Sequence, residues 1–293
     1  METLVNNFSH VVVTPVKNEK DLIQGCIDCM MSQSIPPKQW IIIDDNSNDG
    51  THSILKKASL KYPNIKIIKS KNINSNRRRG RKIAKMILEA IDSIDIKWDF
   101  FSKIDSDILL DKSYFESLFS IFANDPSLGI ASGGCYLKKS SKLILEKVSV
   151  DHTRGALKTY RASCFDDIGG IRGVDGWDGI DNLMAQMNGW KTKNFPEIKA
   201  IHLRPTGSYQ GIVYGCFESG KFAHFMGYHP LFIFARGIHR MISYPHVIGG
   251  FSMLMGYFIN LFLRKPIFEV VDVVRYLRAK QLQRLGLYRK DRN

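Results

Sequence analysis

Hydrophobic and polar positions alternate in blocks along the first hundred residues. The β-branched run Val11-Val12-Val13, followed by Thr14 and Pro15, predicts a buried strand, and Trp40-Ile41-Ile42-Ile43 predicts a second that ends in two aspartates. Between them, Leu22, Ile23, Cys26, Ile27 and Met30 recur at helical spacing within residues 20–32, and Asp49-Gly50-Thr51 supplies the residue types that open another helix. An apolar run at 65–68, a helical stretch to about Ile91 and a fourth run at 100–104 continue the alternation. This β-α-β-α order predicts an α/β fold with right-handed crossovers and parallel strands. In open α/β sheets, ligands bind outside the carboxyl ends of the strands. Asp44, Asp45, Asp105 and Asp107 are therefore expected to face one site.

From Phe222 onward the texture changes, and aromatic and aliphatic residues dominate up to Leu263. The expected division is an α/β domain over residues 1–221 and a helical appendage over 222–293. Residues 247–263 contain no charge, but Gly249, Gly250, Ser252 and Asn260 dilute them. The preferred reading is an interfacial or re-entrant helix, with a membrane span and an ordinary core helix as the alternatives. Residues 269–287 read as a charged amphipathic helix.

Composition narrows the class. At 293 residues with 44% hydrophobic positions the chain can bury a substantial core. Its net charge of +14 predicts attraction to polyanions: nucleic acid, nucleotide phosphates or an acidic membrane face. Much of that charge is local. Arg77, Arg78, Arg79, Arg81 and Lys82 crowd one stretch, and Lys280, Arg284, Arg289, Lys290 and Arg292 crowd another. Neither stretch has the interleaved aromatics or motif of a nucleic-acid binder, so no nucleic-acid partner is expected. Five cysteines, without paired zinc spacing, read as reduced thiols of a cytoplasmic protein, and Cys26 and Cys29 as core packing. Residues 1–10 are polar, which argues against a cleaved leader.

The sharpest chemical signal is Asp105-Ser106-Asp107 after an apolar strand. Two carboxylates at i and i+2 project the same way if the strand continues, and could hold Mg²⁺ or Mn²⁺ while leaving positions for diphosphate oxygens. Asn46 to Thr51 are accounted for by turn chemistry and helix capping, whereas adjacent Asp44 and Asp45 are not.

Taken in order, Thr14-Pro15-x-x-Asn18-Glu19, Asp44-Asp45-Asn46-Ser47-x-Asp49-Gly50-Thr51 and Asp105-x-Asp107 resemble the family 2 glycosyltransferases. The resemblance runs from about Val11 to Ser208. It implies the GT-A fold, a Rossmann-like mixed sheet flanked by helices. It also implies inverting transfer from a nucleotide-diphosphate sugar with Mn²⁺ or Mg²⁺. By that likeness Thr14, Pro15, Asn18 and Asp45 surround the nucleotide, with Asp45 near the base. Arg81 contacts the donor, Asp105 approaches the ribose or the metal, and Asp107 binds the metal. Where many members carry a Glu-Asp pair, this chain has Gly176-Trp177-Asp178-Gly179-Ile180-Asp181. The base is then Asp178 or Asp181, and Asp178 is preferred because it precedes the helix expected over 180–187. His202, after the apolar run 198–201, can complete the metal site, with Arg204 close enough to neutralise diphosphate.

The tyrosine- and phenylalanine-rich stretch 231–263, with Arg236 and Arg240 near its start and Arg264 and Lys265 after its end, predicts peripheral contact with anionic lipid. That placement suits a glycan or lipid-linked acceptor at the cytoplasmic membrane face. Two other readings predict different behaviour. A sugar-phosphate nucleotidyltransferase needs a glycine-rich loop after the first strand, where this chain reads Thr14-Pro15-Val16-Lys17-Asn18-Glu19. A non-catalytic basic module would bind nucleic acid or membrane without turnover.

Overall fold

The computed structural model describes residues 8–71, 79–139, 142–204 and 211–287. Arg77 and Arg78, the sequence 205–208 after Arg204, and Arg289, Lys290 and Arg292 lie outside the described residues. The chain divides into two units, Met1–Arg204 and Pro205–Asn293.

In the first unit, the β-branched runs form the expected strands β1 (His10–Val16), β2 (Gln39–Asp44), β3 (Ile65–Lys69) and β4 (Phe100–Ile104). They pair in parallel in the order β3-β2-β1-β4. The crossovers are helices α1 (Ile23–Met31), α2 (Thr51–Lys61) and α3 (Arg79–Ile91). The chain then turns into the short strand β5 (Ile108–Leu110), helix α4 (Tyr114–Asn124), and strands β6 (Leu128–Lys139), β7 (Lys142–Leu145) and β8 (Leu157–Arg161). Helices α5 (Ala162–Asp167) and α6 (Trp177–Met187) and strand β9 (Lys191–His202) complete the unit. The sheet runs on past β4 as β8-β6-β9-β5, with β7 hairpinned onto β6. Because β8 is antiparallel to β4 and β5 to β9, the sheet is mixed.

Aromatic residues of α4 fill one face of this sheet. Phe115, Phe119 and Phe122 are buried, and the Phe119 ring stacks on Phe100 of β4 at 4.7 Å. Each such ring contributes about 1.5–3 kcal/mol on leaving water. Cys26 packs into the same core, and all five cysteines are free thiols.

Register decides where polar side chains emerge. Val16 pairs with Asp44, so β1 and β2 end level, and the Asp45 amide closes the end by donating to the Val16 carbonyl at 2.8 Å. Along β6 and β9 the pairing jumps from Gly133↔Phe195 to Gly134↔Lys199, which loops out residues 196–198. A Cβ on Gly133 would stand 2.4 Å from the Ile198 carbonyl, so only glycine fits this bulge. Beyond it, His202 is level with Leu137 on one side and with Ile108 on the other.

The second unit contains helices α7 (Ile212–Phe225), α8 (Pro230–Met241), α9 (Ile248–Phe262) and α10 (Val271–Arg284). Phe222, where the composition changes, lies within α7. Helices α7 and α9 approach until their backbones touch: a Cβ on Gly220 would overlap the Met253 carbonyl, and one on Gly256 the Phe217 carbonyl. Small residues at such crossings are what close helix packing requires. At 15 residues, α9 spans about 22 Å, short of a bilayer's apolar core of about 30 Å. Among the described residues no helix is long and apolar enough to cross a membrane, so the spanning alternative for 247–263 drops out.

Candidate functional site

The aspartates at the ends of β2 divide their work. Asp44 is buried and spent on the turn: Oδ1 accepts from the Ser47 amide at 2.9 Å, and Oδ2 lies 3.0 Å from His52 Nδ1. Asp45 instead meets two ammonium groups, Lys17 Nζ at 3.2 Å and Lys82 Nζ at 2.5 Å, both on Oδ2. Its Oδ1 is buried with no hydrogen-bond partner among the described residues. A buried carboxylate oxygen without a donor is costly, and a ligand N–H or hydroxyl would satisfy it.

The neighbouring loop residues are structural at this stage. Thr14 is buried in β1, where its hydroxyl accepts the Trp40 indole N–H at 2.9 Å. Pro15 pairs opposite Ile43. Asn18 adopts a left-handed backbone, φ 54°, and ties two loops together: its amide donates to Ser47 Oγ at 3.0 Å and its Oδ1 accepts from the Asn48 amide at 2.9 Å. The Arg81 side chain is exposed, while its amide donates to Asp175 Oδ1 at 2.8 Å. Lys82, one residue on, is the basic side chain that reaches Asp45.

Asp105-Ser106-Asp107 does not continue a strand as the i, i+2 argument required. It is a turn between β4 and β5, closed by the Ile108 amide donating to the Asp105 carbonyl at 3.3 Å. The two carboxylates consequently face different partners. Asp105 Oδ1 lies 2.5 Å from Lys103 Nζ, and its amide donates to the Ala156 carbonyl at 2.8 Å. Desolvation raises the Asp105 carboxyl above the usual range, with Lys103 opposing it.

Asp107 Oδ2 lies 3.7 Å from His202 Nε2 and 3.0 Å from an Arg204 guanidinium nitrogen, whose group also bonds Glu19. Burial works to raise Asp107, but His202 and Arg204 outweigh it and hold the carboxyl below its ordinary value. For His202, burial works downward, and Asp107 and Glu146 outweigh it and raise the imidazole. An imidazole nitrogen and a carboxylate oxygen that face each other across 3.7 Å are both competent ligands for Mn²⁺ or Mg²⁺.

Helix α6 starts at Trp177, three residues earlier than its apolar spacing indicated, after Gly176 in a left-handed conformation. This places Asp178 in the first turn. Its carboxylate packs against Gly155, and its carbonyl is bonded by Lys158 Nζ and by Asn182 Nδ2 at 3.0 Å. Asp181 is sealed inside, 1% exposed, with Lys158 Nζ at 2.7 Å and the Tyr160 hydroxyl on its other oxygen. Burial raises its carboxyl, and Lys158 pulls it back.

These contacts close a circuit at the sheet's carboxyl rim. Asp45 joins Lys82, whose neighbour Arg81 joins Asp175 beside α6. Asp178 touches Gly155, and Ala156 joins Asp105. Asp107 joins Arg204, which also joins Glu19, and Lys17, two residues before Glu19, bonds Asp45. Lys17, Lys82, Glu19 and Glu146 carry no site role in the sequence reading, although the first three fall in its motifs and basic stretch. The signal for the first three was their position on loops leaving β1 and on α3, the elements flanking the rim.

The family model described as Glycosyl transferase family 2 matches residues 11–136. The chain is 34% identical over 117 residues to the poly(ribitol-phosphate) beta-glucosyltransferase of Bacillus spizizenii, covering 34% of this chain and 18% of that protein. It is 29% identical over 109 residues to the cholesterol galactosyltransferase of Borreliella burgdorferi, covering 37% of this chain and 29% of that protein. The matched stretches thus span less than a third of either relative's length. The mannosyltransferase PcManGT of Pyrobaculum calidifontis, solved in complex with GDP-Man and Mn²⁺, superposes with a TM-score of 0.53 at 14% identity, over 97% of this chain and 77% of that one. At that identity the likeness shows the fold, and the fold is GT-A.

Proposed function

With residues 11–136 belonging to the family 2 glycosyltransferases, we propose that the chain transfers a sugar from a nucleotide-diphosphate donor to an acceptor hydroxyl with inversion. The observation that carries this reading is the meeting of Asp107, His202, Arg204 and Glu19 at the rim that also holds Asp45. Asp107 and His202, with Asp105 beside them, would hold a divalent cation. When bound, such an ion offsets the charge that develops on a departing diphosphate. Arg204 already occupies a carboxylate-lined position, so a diphosphate would find a guanidinium there.

Asp45 Oδ1 is the acceptor for a donor group of the nucleotide base or ribose. Lys17 and Lys82 orient that carboxylate. Thr14 and Pro15 at the end of β1 and Asn18 in the loop that follows would line that position, and the exposed Arg81 would be free to contact the donor. Asp178 is the general base, because a base must reach the acceptor hydroxyl and Asp181 is enclosed by Lys158 and Tyr160.

The acceptor is a glycan or a lipid-linked glycan, presented at the cytoplasmic membrane face. In α8, Leu231, Phe234 and Ile238 are exposed at helical spacing, and in α9 so are Ile248, Phe251, Met255, Ile259 and Phe262. Both helices bury a different, glycine-containing face, so their outer stripes are free to enter a lipid surface, with Arg236, Arg264 and Lys265 exposed for anionic headgroups.

Thermal-shift screening of nucleoside diphosphates and their sugars, with and without Mn²⁺, tests the donor reading. One nucleotide should stabilise the protein only when Mn²⁺ is present. Stabilisation by none of them, or equally without metal, would remove its basis.

A further inference from the structure

We infer that Glu146 fixes which imidazole nitrogen His202 turns toward the cation, and so acts as a positioning residue for the donor site. The inference rests on the reading that Asp107 and His202 hold a divalent ion. Glu146 directly follows β7. Its amide donates to the Cys135 carbonyl at 2.9 Å, which anchors it on β6, the strand that pairs with β9 at Leu137↔His202. This brings Glu146 Oε2 to 2.9 Å from His202 Nδ1, while Nε2 faces Asp107 Oδ2 at 3.7 Å. The two carboxylates therefore lie at opposite edges of one ring.

Arg154 secures Glu146 in turn. One guanidinium nitrogen lies 3.2 Å from Oε2, and another donates to the Glu146 carbonyl at 2.9 Å. Both carboxylates are acceptors paired with a guanidinium, but only Glu146 lies within hydrogen-bond distance of the ring, at 2.9 Å against 3.7 Å for Asp107, so Nδ1 carries the proton in the neutral ring and Nε2 keeps the lone pair. Outer carboxylate partners of this kind raise ligand basicity and fix ring orientation. The Cys135 thiol also lies near, its sulfur, a Glu146 oxygen and a His202 nitrogen all within 4.8 Å of one another. A second metal among those three would sit against the Arg154 cation, which already holds Glu146.

The test uses the full chain and Mn²⁺ alone, titrated by electron paramagnetic resonance. Glu146→Ala should weaken Mn²⁺ binding by about 10–100-fold, and Glu146→Gln, which retains an acceptor oxygen, should recover most of the loss. In parallel, nitrogen-15 NMR of the metal-free protein at alkaline pH reads the His202 tautomer, its signals identified by their loss in His202→Gln. The wild type should carry the proton on Nδ1, and Glu146→Ala should lose that preference. A wild-type ring protonated on Nε2 overturns the inference without recourse to any Glu146 variant. Equal Mn²⁺ affinity in wild type and Glu146→Ala overturns it while leaving the donor site standing. A wild type that takes up no Mn²⁺ overturns the donor-site reading, and the role of Glu146 with it.

Discussion

Replacing Gly155 with alanine is expected to disable transfer while sparing donor binding. A Cβ at this position would stand 2.8 Å from Asp178 Oδ2, 3.1 Å from its Cγ and 2.9 Å from its Cβ. Carbon atoms rest at about 3.5–4.0 Å, so the neighbours must part by roughly 0.6 Å or more. Rotation of the carboxylate relieves the first two contacts. It does not relieve the third, because the Asp178 Cβ is carried by α6, whose first turn is bonded by Lys158 and Asn182. The base is therefore displaced or turned away, and a misplacement of about 1 Å costs on the order of 100-fold in rate. We expect kcat to fall by about 10–100-fold and stability by about 1–3 kcal/mol from overpacking. The assay is transfer of labelled sugar to acceptor-bearing membranes, with donor affinity measured by calorimetry. Asp178→Asn, which keeps the shape, sets the floor at a loss of about 10²–10⁴. Unchanged turnover in Gly155→Ala, or a loss of donor affinity as large as the loss of rate, would refute the placement of the base.

Asp181→Asn should behave oppositely: it strands the buried Lys158 ammonium, lowering unfolding stability by about 3–5 kcal/mol in urea titration, and a wild-type midpoint would deny that Asp181 is structural. His10 lies buried against Phe115 and Phe119, and burial lowers its pKa to about 3, so the unfolded chain binds a proton below about pH 6.5 that the folded chain refuses. Stability is then unaffected above that pH and falls by about 2 kcal/mol from pH 7.5 to 5.0. His10→Gln should flatten this part of the profile, and an unchanged slope would show that other groups cause it. For the membrane surface, Phe251→Ser with Phe262→Ser should weaken flotation with anionic vesicles by about tenfold per ring removed. Equal flotation would exclude the α9 stripe as the contact.

The parallel half of the sheet was legible because buried strands and crossover helices leave periodic patterns, and the four runs from Val11 to Ile104 became β1 to β4. The aspartates at their ends were legible for the same reason. What lay beyond reading was contact across long separations. Glu19 meets Arg204 across 185 positions, and Glu146 meets His202 across 56, through a bulge in β9 that no local pattern announces. The geometry of Asp105-Ser106-Asp107 is not legible from periodicity, because the strand whose continuation would align the two carboxylates stops at Ile104 and the chain turns. The division of labour between Asp44 and Asp45 is equally invisible in sequence: it depends on Ser47 and His52 claiming the first carboxylate and on Lys17 and Lys82 reaching the second.

The account stands on a cation-dependent diphosphate site at this rim, and calorimetric titration of a nucleoside diphosphate tests it most directly. Wild-type protein should bind the nucleotide with Mn²⁺ and not with a chelator, and Asp107→Asn should abolish the Mn²⁺-dependent binding while leaving the protein folded. Binding that ignores the metal, or that survives intact in Asp107→Asn, would contradict it.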